Sequence, residues 1–131
     1  MATIVPLSDL PGRPCPIAAS LELVGERWAL LVIREIAMDN HRFSEIVRGT
    51  GAPRDRIAAR LKTLESEGIV MRRKCPDSQR HTYHLTEAGA DLIPVLNALL
   101  EWGQHHAVAP DDPKRKEQYP PLAEPVTELN P

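Results

Sequence analysis

Ile57, Leu61 and Leu64 recur at i, i+4 and i+7, and Gly68 follows them. The spacing puts three branched aliphatic side chains on one stripe of a helix running from Pro53 to about Glu67, and the glycine stops it. Two extended runs come next, Ile69 to Cys75 and His81 to Leu85, with the polar turn PDSQR between them. That pattern predicts a β-hairpin with a basic tip. A helix leading straight into a hairpin restricts the fold class to mostly α with a small β-hairpin.

The residues before Pro53 supply three shorter helices. Ile17 to Val24 carries Ile17, Leu21 and Val24 on one stripe and ends at Gly25. Trp28 to Met38 is apolar on most sides and belongs in the interior, with Trp28 as a core anchor. Ser44 is expected to cap a third helix through Arg48, and GTGAP (residues 49–53) forms a turn that sets Pro53 at a first helical position. After the hairpin, Thr86 is expected to cap one long helix, Glu87 to His105, with Leu92, Leu96, Leu99 and Leu100 in a wide apolar band. Pro94 predicts a kink or an early first turn in it. His105 and His106 read as its frayed end. The domain organisation expected is an arm at 1–14, one domain at 15–106 and a proline-rich tail without its own core at 107–131. The tail's KRK (114–116) reads as solvated.

Charge is segregated along this order of parts. The 131 residues carry a formal net charge of −2, yet His41 to His84 holds ten Lys/Arg against five acids, +5, and the remainder sums to −7. Such a field turns one face toward a polyanion. On the fourth helix, 100° per residue sets Asp55, Arg56, Ala59, Lys62 and Thr63 opposite the stripe, with Arg54 and Arg60 flanking it. A major groove admits one helix, and arginines near its start reach base edges and phosphates. Small Ala58 and Ala59 allow close approach, and a hairpin tip carrying Gln79 and Arg80 suits the neighbouring minor groove. Arg42, Ser44, Arg72 and Lys74 complete the expected contact set for double-stranded DNA. Helix, helix, turn, helix and hairpin is the order of a winged helix-turn-helix.

The sequence also resembles HxlR-type transcriptional regulators, bacterial winged-helix proteins related to the MarR group. The resemblance rests on CP at Cys15–Pro16, GERWALLVI from Gly25, RFSEI from Arg42, RIAARLKTLESEGIV from Arg56 and YHLTEAGADLIPVLNALLEWG from Tyr83, and covers residues 15–103. It implies a homodimer on a roughly palindromic operator, joined through the first and last helices, in a regulator expected to repress. It further implies that Cys15 senses oxidants or electrophiles such as quinones, hypochlorite or aldehydes. Many relatives carry Ser or Thr where this chain has Pro53.

Dimerisation has a separate argument. The last helix carries more apolar surface than a one-sided contact with so small a domain buries, and symmetric pairing is the commonest way to cover such a band. The expected interface is Ile17, Leu21, Leu92, Leu96, Leu99, Leu100 and Trp102. Cys15 sits just ahead of a helix, where the helix dipole favours a thiolate. A small buried hydrophobe at the dimer seam is the other reading of it.

Further classes are excluded or weak. Two cysteines are too few for a disulfide framework. Cys75, His81 and His84 lack a CxxC and a fourth ligand, so no metal and no cofactor is expected. There is no phosphate loop or nucleophile elbow, so no enzyme. One Phe and two Tyr give little for single-strand stacking. The longest apolar run, Trp28 to Ile33, is too short for a membrane, and the N-terminus lacks a secretory pattern, so a cytoplasmic, nucleoid-associated protein is expected. Two alternatives keep the fold: a non-covalent small-molecule effector between the last helices, or a winged-helix module that binds protein and no DNA.

Overall fold

The stripe of Ile57, Leu61 and Leu64 is buried to 2% exposure or less, and the elements arrange themselves around it. The computed structural model describes residues 2–125. In chain order they form α1 (Pro16–Val24), α2 (Ala29–Ala37), α3 (Phe43–Thr50), α4 (Arg54–Ser66), β1 (Val70–Lys74), β2 (His81–Leu85), α5 (Glu87–Ala90) and α6 (Ile93–His106), after a 3-10 turn at Leu7–Asp9. Val32 and Ile33 of α2 and Ile46 of α3 are fully buried against that stripe, with Ile69 and Val70 entering from the hairpin. Each such side chain contributes about 1.5–3 kcal/mol on burial. α2 is therefore the central helix, as its all-round apolarity predicted.

Local signals set most boundaries. Gly68 takes φ 79°, and Ile69 N–H reaches the Leu64 carbonyl at 3.0 Å while Gly68 N–H reaches Glu65 at 3.1 Å. This paired closure requires a left-handed residue, which glycine adopts without strain. β1 and β2 pair antiparallel from Val70↔Leu85 to Lys74↔His81. On the outer side of β2, Tyr83 N–H donates to the His41 carbonyl at 2.8 Å.

Several expectations are corrected. Ser44 is not a cap: α3 begins at Phe43, and Arg42 is the N-cap, its N–H donating to Glu45 Oε1 at 3.1 Å. The reciprocal partner of a cap lies three residues on, which is Glu45 for Arg42 but Val47 for Ser44, and a valine cannot reach back. Pro53 is the N-cap of α4 and not its first residue, with extended ψ of 144°. Thr86 does cap a helix, its Oγ1 accepting from Gly89 N–H at 3.2 Å, but that helix ends at Ala90. A second helix starts at Ile93 with Pro94 in its first turn, where the missing N–H costs nothing. His105 and His106 lie in its last helical turn.

Both ends of the chain are tied to the domain, where a loose N-terminal arm was expected. Thr3 N–H donates to the Glu67 carbonyl at 2.8 Å, and Leu10 is buried. Downstream of α6, Arg115 donates to the carbonyls of Val108 (3.0 Å) and Gln104 (3.1 Å), closing the C-terminal end of the helix. Asn97 and Leu122 exchange two hydrogen bonds, Nδ2 to the Leu122 carbonyl at 3.1 Å and Leu122 N–H to Oδ1 at 2.8 Å, and Leu122 packs against the core. Polar groups on α6 thus hold a segment that has no core of its own.

One buried charge ties α2 to α3. Glu35 is 4% exposed and accepts from Arg34 Nε at 2.8 Å and Asn40 Nδ2 at 3.0 Å, while Arg34 Nη2 donates to the Gly49 carbonyl at 2.9 Å. The carboxylate lies where a Cβ on Gly49 would stand, so the glycine permits the close approach. Glu35→Ala strips two donors of their acceptor inside the fold. It is expected to lower unfolding free energy by about 1–3 kcal/mol, read as a drop in urea midpoint at unchanged slope.

Candidate nucleic-acid interface

With Ile57, Leu61 and Leu64 turned inward, the remaining sides of α4 must face out. Arg54, Asp55, Arg56, Ala58, Ala59 and Lys62 are all exposed, whereas Thr63 is half-buried and donates its hydroxyl to the Ala59 carbonyl at 3.0 Å. The short Gly51–Pro53 link brings the start of α4 beside the start of α3. There the Arg54 guanidinium stands 4.9 Å over the Phe43 ring, a cation–π contact that limits where this long side chain can point.

A cleft of about 400 Å³ opens between these helix starts and the hairpin. Arg42 and Ser44 from the start of α3, Arg54 from α4, and Cys75, Gln79, Arg80 and His81 from the hairpin line it. Five of the sequence-predicted contact residues, from three separate stretches of chain, therefore share one concave wall. Arg56, Lys62 and Lys74 are exposed outside the cleft. Two other arginines are held by acids of the protein: Arg60 Nε lies 3.5 Å from Glu26 Oε2, and Arg72 Nε lies 3.6 Å from Glu65 Oε2. Phe43 and Glu26 were not singled out from the sequence, and His81 was weighed there only as a metal ligand. An aromatic next to Ser44 was the one available signal for the first; nothing in the local pattern marks Glu26.

Residues 23–111 match the family described as HxlR-like helix-turn-helix. The chain belongs to this family. It is 40% identical over 101 residues to the HTH-type transcriptional regulator Mb3122 of Mycobacterium bovis, a match spanning 76% of this chain and 64% of that relative. Among solved structures, PA1607 superposes with a TM-score of 0.71 at 29% identity, covering 84% of this chain and 80% of that one. Diamide-treated YodB from B. subtilis gives 0.56 at 33% identity, covering 70% and 94%. The redox regulator HypR in its oxidized form gives 0.62 at 29% identity, covering 72% and 100%. The winged helix-turn-helix fold expected from the order of elements is thus the fold of this family.

The residues expected at a dimer interface divide in three. Ile17 (73% exposed), Leu21, Leu99 and Trp102 (61%) face outward, joined by Val95. Leu96 is buried in the single chain's core and Leu92 packs against that core, while Leu100 lines a second cleft that Tyr119 and Pro121 border. The apolar band of α6 therefore serves three surroundings, because a helix that packs on a core with one side still presents two flanks. Cys15 is half-buried and N-caps α1 through its carbonyl, which accepts from Ala19 N–H at 3.0 Å; its side chain makes no capping bond. Among the described residues, no group of three or more His, Cys, Asp or Glu is arranged to hold a metal, and no helix is long and apolar enough to cross a membrane.

At the hairpin's root, the rings of His41 and His84 stack with centroids 4.5 Å apart. His41 Nδ1 donates to the Tyr83 carbonyl at 2.8 Å, and His84 Nε2 bonds the Thr82 hydroxyl at 2.8 Å. Burial lowers the pKa of His84, and the charges of His41 and Arg73 lower it further. Folding therefore favours the neutral ring, and the unfolded chain takes up the proton first as pH falls. Its contribution to stability is complete above about pH 6.5 and is lost progressively below that value. Urea midpoints measured from pH 7.5 to 5.5 are expected to fall with acidity, and His84→Gln to flatten that fall.

Proposed function

We propose that this chain is a DNA-binding transcriptional regulator that acts as a homodimer on a palindromic operator, most simply as a repressor. In this reading α4 enters the major groove, with Arg54 and Arg56 toward bases or phosphates and Lys62 on the backbone. The hairpin tip, with Arg80, follows the adjacent minor groove. The observation that carries the reading is the cleft in which Arg42, Arg54 and Arg80 converge beside the exposed side of α4. Three permanent cations around one concavity repel one another unless a polyanion neutralises them, and phosphate contacts release condensed counterions. Family membership and the HTH-type regulator named among the relatives support the same reading. Outward-facing Ile17, Leu21, Leu99 and Trp102 supply the apolar surface for pairing, and a symmetric pair would set its two reading helices about 34 Å apart. Such a protein works in the cytoplasm, at the nucleoid.

A second reading adds regulation through Cys15. It is supported by the half-buried thiol at the start of α1, the helix that also bears the exposed Ile17 and Leu21, and by the redox character in the names of HypR and diamide-treated YodB. Oxidation or alkylation there would alter how α1 meets a second copy and so change operator affinity.

Fragments captured from genomic DNA and sequenced would identify the operator, and gel retardation would measure its affinity; failure to retard any fragment would defeat the main reading. Arg56→Ala is expected to cost roughly 1–3 kcal/mol on the operator alone if it reads a base. Arg80→Ala is expected to weaken all duplexes evenly and to reduce the salt slope by about one. With mild oxidant, the parent is expected to release DNA and Cys15→Ser to retain it; equal responses would remove the thiol from the account.

A further inference from the structure

Arg60 stands apart from the other arginines of α4. It flanks the buried stripe, so its side chain runs along the body of the protein and is only 29% exposed. Its Nε lies 3.5 Å from Glu26 Oε2, and that same oxygen accepts the Trp28 N–H at 2.9 Å. Glu26 belongs to the turn between α1 and α2, and the Trp28 N–H of that same turn holds the carboxylate that meets the arginine. Two turns further along α4, Glu67 carries a carboxyl oxygen, Oε2, that is buried with no hydrogen-bond partner. Burial raises the pKa of Glu67, and the Arg60 charge pulls it back down. The N-terminal arm closes on the same residue, through Thr3 N–H on the Glu67 carbonyl.

We propose that Arg60 is a positioning residue, not a DNA contact: engaged by Glu26, it fixes the setting of α4 relative to the α1–α2 turn. This rests on the DNA-binding reading above. The two roles make opposite demands. A phosphate-contacting arginine works best with no acid beside it, since a carboxylate both competes for the guanidinium and repels the DNA. A positioning arginine needs that acid, and needs it anchored. Glu26 is anchored, by a backbone N–H of its own turn. The pair also sits at the turn that joins α1, the helix bearing Cys15 and the outward Ile17 and Leu21, to the central helix α2. A shift of α1 would thus reach the reading helix through this contact.

The decisive variant is Glu26→Gln, which keeps the size and the Trp28 acceptor but removes the charge. It is compared with the parent and Arg60→Gln on a captured genomic fragment and on a scrambled duplex of equal length, across a salt series, with thermal unfolding of each protein alongside. Positioning predicts that both variants lose roughly tenfold on the captured fragment, keep the parent's affinity for the scrambled duplex, and keep its salt slope. Glu26→Asp keeps both the charge and an acceptor for the Trp28 N–H, so it is expected to bind the captured fragment better than Glu26→Gln, and it serves as the deciding variant if Glu26→Gln or Arg60→Gln unfolds. The proposal is overturned if Glu26→Gln binds both duplexes as tightly as the parent or tighter, if Arg60→Gln lowers the salt slope by about one, or if Glu26→Asp loses as much on the captured fragment as Glu26→Gln. Absence of any retardation by the unmodified protein is a different result, and it removes the DNA-binding reading itself.

Discussion

The burial of Ile57, Leu61 and Leu64 decides what the rest of the molecule can present. A thirteen-residue helix has one apolar stripe, and once that stripe is committed to the fully buried Val32, Ile33 and Ile46, the rotation of α4 about its axis is no longer free. Arg56 and Lys62 must then point away from the core, and Arg60 must lie along its margin. Charge placement on this helix is a consequence of hydrophobic packing, not an independent feature.

Seven of the arginines consequently fall into two populations. Arg34, Arg60 and Arg72 are paired with Glu35, Glu26 and Glu65 of the same chain, and Arg115 is spent on backbone carbonyls. Arg42, Arg54 and Arg80 meet in a cleft, and Arg54 is steadied there by an aromatic ring. A count of basic residues treats these alike, though a polyanion can take the second group, and the exposed Arg56 and Lys62 with it, without breaking an internal ion pair. The acids do similar double service: Glu35 braces two helices from within, while Glu26 meets an arginine more than thirty residues away.

What could be read from the sequence was what depends on neighbours in the chain. The i, i+4, i+7 stripe, the left-handed stop at Gly68 and the two extended runs around a polar turn are short-range effects, and they carried the order of elements and the outward face of α4. Pro94 left two outcomes open, and the structure takes the early first turn by ending α5 at Ala90. Ser44 misled because capping depends on the residue three ahead as much as on the cap. The tail was illegible because its attachment runs through Asn97 and Leu122, two ordinary residues far apart in sequence. The same distance hid the Glu26–Arg60 and Phe43–Arg54 contacts, each of which exists only after the helices have packed.

The bond from Tyr83 N–H to the His41 carbonyl, with the His41 ring returning to the Tyr83 carbonyl, has a bearing on solubility. A lone two-stranded ribbon leaves a row of vacant amides and carbonyls along its flank, and such a row invites strands of other molecules to stack on it. Here a residue of the interhelical link plugs the row at its midpoint. Stacking along that flank would first have to prise out the link, so the β2 side of the ribbon is closed to strand addition at its centre.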